Sequence, residues 1–373
     1  MNNVQNPKPS LDDLKKKAAA LVETAKKTLN TWKDKLVSGT KAAKDSLVAA
    51  WKALTNGAKG AVIAAVVVLV ALAVVITVAL GGNGTPDPAP APAPAPVAET
   101  YTLVVVTDSE VGVSYGAHEV SNHVLALVYD EDGKIVDARL DCAQIKPALD
   151  AEGNLIPQES VLTKVEKKEA YGDMPKGTWY VQSAAFEQLI IGKTAAEVAA
   201  LAVEDVYAAG CTMVGTTPVF LNLVAKAFDY DINVTFEATE DFKLGVAATS
   251  TVKAGWSGSV AVTSNFAGVV LVNDKVAAVM LDVVEQTYAI ENGALVANET
   301  AFSKNDQYYT YTGMPAGPWF KQAKAFAASA VGKTVAELAD LALTSDALVA
   351  AGCTMQGTAD YKAPLVAAAG YAK

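Results

Sequence analysis

Arginine is nearly missing from this chain: Arg139 is the single one among 30 cationic residues, and the others are lysines. Bidentate forks for phosphate or carboxylate, which the planar guanidinium makes best, are therefore almost excluded. Two histidines and three cysteines leave little from which to build a metal cluster or a disulfide framework. Charged residues make up only 19% while hydrophobic ones make up 51%, a balance that excludes a disordered polyelectrolyte. The net charge of −10 argues against nucleic acid as a partner, because phosphate neutralisation needs a basic surface. No complete catalytic constellation stands in the sequence, so no catalytic and no metal-ligating residue is assigned.

What is present is unevenly distributed. Ala61 to Leu80 is a run of 20 residues drawn from Ala, Val, Ile and Leu with one Thr. As a helix it is about 30 Å long, the thickness of the hydrocarbon core, and it has no polar face, so residues 61–80 read as a transmembrane helix. Residues 1–59 hold 12 lysines and five acids, net +7, whereas residues 60–373 hold 18 cations and 35 acids, net −17. The positive side stays in the cytoplasm, which places the C-terminal part outside the cell membrane. Nearly sixty residues precede the span, too many for a cleaved signal peptide, so an uncleaved signal anchor is expected.

Residues 1–58 read as a basic amphipathic helical region. Ser10 and Asp13 form a capping box, and Leu11, Leu14, Ala18, Leu21, Ala25, Leu29, Trp32 and Leu36 recur at spacings of three or four. Two uses stay open: lying on the anionic inner leaflet, or self-association along the apolar seam. Residues 81–99 form a linker, Gly81-Gly82-Asn83-Gly84 followed by proline at every even position from Pro86 to Pro96. Alternating Ala-Pro favours an extended polyproline II spacer of roughly 34 Å.

An internal repeat follows. Met174-Pro175, Trp179, Gln182, Phe186, Gly192-Lys193-Thr194 and Glu197 return 140 positions later as Met314-Pro315, Trp319, Gln322, Phe326, Gly332-Lys333-Thr334 and Glu337. Ala209-Gly210-Cys211-Thr212-Met213 returns as Ala351-Gly352-Cys353-Thr354-Met355. Residues 100–231 and 232–373 are thus expected to be two copies of one ectodomain module, each of common domain size. Strand patterns come first in each copy: Tyr101–Thr107, Val111–Tyr115, and a hairpin of His123–Tyr129 with Lys134–Asp141, matched in the second by Phe266–Val272 with Lys275–Asp282. Helical patterns follow at Thr178–Ile191 and Pro318–Val331, from Ala195 and Val335, and at Val219–Phe228 and Ala363–Ala369. The expected fold class is α+β, two tandem repeats of an antiparallel sheet with helices packed on it.

Several motifs invite chemistry and are better read as structure. Gly192-Lys193-Thr194 resembles the tail of a phosphate loop, but Glu187 and Ala327 occupy the place of the required first glycine. Thr194 with Glu197 and Thr334 with Glu337 instead read as capping boxes. His118 and His123 are five apart rather than four, and the second copy has no histidine, so they read as surface residues of a loop. Cys211 and Cys353 read as small buried residues, Trp179, Phe186, Trp319 and Phe326 as core, and Gln182 with Gln322 as hydrogen-bonding links between elements.

The run Asp132-Gly133-Lys134-Ile135 opening a strand, a later helix, and Gly210-Cys211-Thr212-Met213 before the helix at Val219–Phe228 together resemble the element order of FMN-binding domains of bacterial envelope flavoproteins. In that family a Ser-Gly-Ala-Thr-type segment carries the flavin on its threonine. The resemblance places Thr212 and Thr354 at that cofactor-binding position, with cysteine where the family has alanine and without its Glu-Thr-Pro-Gly segment. The ectodomain is also similar to duplicated extracytoplasmic proteins of anaerobic Gram-positive bacteria, a resemblance that implies no activity. The expected function is a single-pass, membrane-anchored protein whose duplicated ectodomain binds an envelope or extracellular ligand without catalysis; the alternative is an FMN-binding electron-transfer protein.

Overall fold

The computed structural model describes residues 98–373, apart from Asp173, Val214, Glu240, 298–300, 311–313, Pro315, 343–345 and 356–357. The expected basic helical region, the span at 61–80 and the linker up to residue 97 lie outside the described residues. Among the described residues no helix is long and apolar enough to cross a membrane.

The fold is α+β, built on antiparallel sheets. The first copy opens with β1 (Glu99–Ser114), β2 (Ala117–Asp130) and β3 (Ile135–Ile145), followed by α1 (Lys164–Lys167), α2 (Trp179–Ile190), α3 (Ala195–Ala199), α4 (Val203–Ala209) and α5 (Thr217–Asp229). The second copy runs through β4 (Val234–Ala238), β5 (Phe242–Ala254), β6 (Val260–Val272), β7 (Lys275–Glu291), β8 (Ala294–Ala297) and β9 (Phe302–Ser303). It closes with α6 (Trp319–Ala328), α7 (Val335–Ala339), α8 (Asp346–Ala350) and α9 (Thr358–Tyr371). Sheet order is β3-β2-β1-β4 in one sheet and β5-β6-β7-β8 in the other, with β9 also on β7.

The apolar run Leu103–Val106 shows why the strands are hydrophobic without a break. Leu103 and Val105 face the other copy's sheet, while Val104 and Val106 face the helices of their own copy. Both faces of each sheet are buried, and the usual one-sided alternation disappears. The result is four layers: helices, sheet, sheet, helices. Each copy has a core between its sheet and its helices, and a third core joins the two sheets. Strands also cross between copies. β4 extends the first sheet along β1, and Gln158 and Val161 of the first copy bond to Val252 and Ser250 on the edge of β5.

The two central strands lie side by side and run the same way. Asn122 Nδ2 donates to Ser264 Oγ at 2.9 Å, four residues further on a Cβ built on Gly268 would sit 3.2 Å from that of Ala126, and at the strand starts His118 stacks edge-on against Tyr288, which pairs with Val260. The β1–β2 and β5–β6 hairpin turns therefore project from the same end of the sandwich.

Three sequence expectations change. Tyr101–Thr107 and Val111–Tyr115 are one strand, because Asp108, Ser109 and Glu110 keep ladder partners in β2; the turn comes at Tyr115-Gly116. The histidines lie on β2 rather than in a loop, and His123 is buried. The helix expected from Ala363 starts at Thr358, which puts Pro364 inside it.

Candidate functional site

The glycine-lysine-threonine segments do structural work. Gly192 N donates to Ile135 O and Ile135 N to Lys193 O, and Gly332, Val276 and Lys333 repeat the pattern. Gly192 and Gly332 hold φ of 80° and 81°, left-handed values that suit glycine. Thr194 and Thr334 then cap α3 and α7 in complete capping boxes with Glu197 and Glu337.

Gln182 and Gln322 are fully buried on α2 and α6 and link elements in the same way. Gln182 Nε2 donates to Gly177 O at 2.8 Å, and its Oε1 accepts from both the backbone N (2.6 Å) and Oγ1 (2.8 Å) of Thr212. Gln322 does the same with Gly317 and Thr354. The structure thus gives the hydroxyls of half-buried Thr212 and Thr354 a common task, holding the loop behind Cys211 and Cys353 to the long helix. Gln182→Leu and Gln322→Leu are each expected to lose about 2–3 kcal/mol of stability by orphaning a carbonyl and an N–H. Urea unfolding reads this, and a loss below about 1 kcal/mol in both would show that water replaces the amide.

All three cysteines are free and buried. Cys211 and Cys353 sit in the helix–sheet cores, where burial pushes both thiols up. Trp179, Phe186, Trp319 and Phe326 are core side chains. The single arginine is engaged too: Arg139 pairs with Asp137 and donates from Nη2 to Lys373 O at 2.7 Å.

Cys142 differs from the other thiols. It stands opposite His123 across β2 and β3, its Sγ 3.9 Å from His123 Nε2, while Glu110 Oε2 lies 3.1 Å from that same nitrogen. The Lys164 ammonium lies over the rings of Tyr171 (5.0 Å) and Trp179 (5.8 Å). Burial opposes charge on both partners, yet the sulfur and Glu110 outweigh it to raise His123 to about 9, and His123 with Lys164 outweighs it to lower the Cys142 thiol. In the second copy Asn265 and Val283 take the places of His123 and Cys142. There the matching lysine, Lys304, lies over Tyr309 and pairs with Glu285 at 2.8 Å, whereas the first copy has Gln144 at that place, bonded to Tyr171. A carboxylate balances the buried lysine in one copy and a sulfur in the other. This is not a catalytic triad: both partners of His123 meet Nε2, so the ring cannot take a proton at one nitrogen while the other is held, and Nδ1 is buried without a partner.

Sequence reasoning missed two buried acids, Asp141 and Asp282, at the same place in β3 and β7. Asp141 Oδ1 accepts from Cys142 N and Val165 N. Asp282 accepts from Thr107 Oγ1 (2.8 Å), Ser303 Oγ (2.7 Å), Val283 N (2.7 Å) and Asn305 N (3.3 Å), joining the copies through Thr107. Burial raises each to about 6. The signal was available in the repeat: an aspartate inside an apolar run in both copies. Among the described residues no group of three or more His, Cys, Asp or Glu side chains has a metal-holding arrangement.

The opposite kind of feature stands at the hairpin end. Tyr115 and Trp256 are 103% and 91% exposed, the two most exposed large hydrophobic side chains among the described residues. Tyr115 opens the β1–β2 turn and Trp256 the β5–β6 turn, the first beyond the pair Ser114 with Ala117 and the second beyond Gly255 with Ser259. Compared with protein-family models, with curated proteins and with solved structures, the chain matches none of them.

Proposed function

We propose that this chain is a membrane-tethered surface module, anchored by a signal-anchor span at 61–80 with its N-terminus in the cytoplasm, and that its duplicated ectodomain binds a ligand outside the cell without catalysis. The supporting observation is the placement of the two ends. The linker enters β1 at Glu99, and both exposed aromatic turns lie at the other end of that 16-residue strand, roughly 50 Å away. An alternating Ala-Pro stretch favours an extended spacer, which suits a module tethered through its β1 end. The buried hydrogen-bonded groups Asp141, Asp282, Gln182 and Gln322 act as structural joints within and between the copies.

In cells making the full chain, external protease is expected to remove the ectodomain while an N-terminal tag stays protected; an ectodomain that survives in intact cells overturns the topology. The purified full chain is expected to be colourless. A flavin absorption band that disappears in the double variant Thr212→Val, Thr354→Val would overturn the non-catalytic reading in favour of a flavoprotein.

A further inference from the structure

We infer that the paired hairpin tips are a docking site for a neutral polysaccharide, with Tyr115 and Trp256 as its stacking platforms. The inference rests on the binding-module reading and names the class of ligand.

The first ground is that neither ring contributes to folding. Tyr115 has φ of 51°, a left-handed conformation that strains a bulky residue, and its side chain buries nothing in return. Glycine or asparagine is the usual occupant of such a turn. Trp256 is as bare, in a turn where Ser257 and Gly258 also take positive φ. The second ground is duplication. The ladder pairs Ser109 with Asn122 and Ser250 with Ser264, linked side chain to side chain across the two sheets, set the correspondence of the hairpins. On that correspondence an aromatic residue opens the turn in both copies, although one turn is a residue longer and the histidine–cysteine pair is not shared. The third ground is placement: the hairpins project from one end, and sheets stacked about 10 Å apart bring both rings within reach of one oligosaccharide.

Charge selects the ligand class. Residues 115–117 are Tyr-Gly-Ala and 255–259 Gly-Trp-Ser-Gly-Ser, with no ionisable side chain except the tyrosine phenol. Along the hairpins Glu119 pairs with Lys146 at 3.2 Å and Lys253 with Glu159 at 3.4 Å, and the neighbouring end of β7 adds the exposed acid Glu291 rather than a lysine. An anionic polymer or an anionic bilayer would need unpaired lysines at the tips. Two separated flat rings amid small hydroxyl-bearing residues instead suit the apolar faces and hydroxyls of sugar rings, as aromatic platforms with polar neighbours do.

The test uses the full chain in lipid nanodiscs against immobilised neutral glucans, xylans and N-acetylglucosamine oligomers, with heparin and phosphatidylcholine vesicles alongside. Binding to a neutral glycan is expected, weakened at least tenfold in the double variant Tyr115→Ala, Trp256→Ala, and bound glycan should shield Trp256 from iodide quenching. Both side chains are exposed, so the variant keeps the wild-type unfolding midpoint. No neutral glycan bound, binding that survives the double substitution, or preference for heparin or vesicles overturns the inference. Protease shaving reads the topology separately, so failure of the tether and failure of the glycan site are distinguishable.

Discussion

Asp282→Ala is expected to lose about 3–5 kcal/mol of folding stability, among the largest losses for one substitution outside the apolar cores. Asp282 is 1% exposed and accepts four hydrogen bonds, two from hydroxyls and two from backbone N–H groups. A hydroxyl can turn toward another acceptor, but the amides of Val283 and Asn305 cannot, and an unsatisfied buried donor costs about 1–3 kcal/mol. One donor, Thr107, belongs to the other copy, so the substitution loosens the joint between the sheets as well as the second copy. Asp141→Ala is the internal comparison: its partners, Cys142 N, Val165 N and the Thr163 side chain, all lie within the first copy, and its loss should be smaller. Urea denaturation followed by the emission of buried Trp179 and Trp319 measures both. Equal losses for the two variants, or less than about 1 kcal/mol for Asp282→Ala, would remove the inter-copy role assigned to this acid.

Stability should also fall as pH rises from about 4 to 8. Burial lifts Asp141 and Asp282 to about 6 and Glu187 to about 7 in the folded chain, from ordinary values of 3.8 and 4.5. A raised folded pKa means that the native state holds the proton more tightly than the unfolded chain. The stabilisation is therefore complete below the unfolded values and is lost as pH passes through 6 to 7. At about 1.4 kcal/mol per pH unit of displacement, the three acids together amount to a loss of about 3 kcal/mol or more, after allowance for relaxation around them. Arg139 and Lys373 temper the slope by lowering Glu187, whereas Asp137 beside Glu187, Glu166 beside Asp141 and Asp306 beside Asp282 raise those acids further and steepen it. His123 is raised and the Cys142 thiol lowered, so their contributions act in opposite directions. The exposed capping acids Glu197 and Glu337, held low by Thr194 and Thr334, withdraw their contribution only in stronger acid, which sets the lower edge of the window. Unfolding midpoints at pH 4.5, 6 and 8 should decline in that order, and Asp282→Asn, which fixes that position neutral, should flatten the decline. A midpoint that rises toward pH 8 would contradict the upward shift that burial gives these acids.

Particular residues mark the boundary between local and tertiary information. The T-x-x-E boxes were readable because a helix cap involves residues three apart, and the glutamine links were readable as links because both copies retain them. The long strand was not, since Asp108 and Glu110 break the apolar pattern locally and owe their place in β1 to partners on β2. His123 was misplaced for a related reason: five-residue spacing excludes a helical zinc motif, but says nothing of a cross-strand cysteine 19 positions away.

The sequence by itself determined the class of fold, the duplication, the hairpin turns at Asp132-Gly133 and Asn273-Asp274, and the caps, because each follows from periodicity, turn geometry or spacing within a short stretch. Only the tertiary structure decided that the sheets pack face to face, that Asp282 and Thr107 are joined, and that Tyr115 and Trp256 share one end. Those relations connect residues more than a hundred positions apart, and burial, which sets their pKa values and their cost, exists only once both sheets have closed on each other.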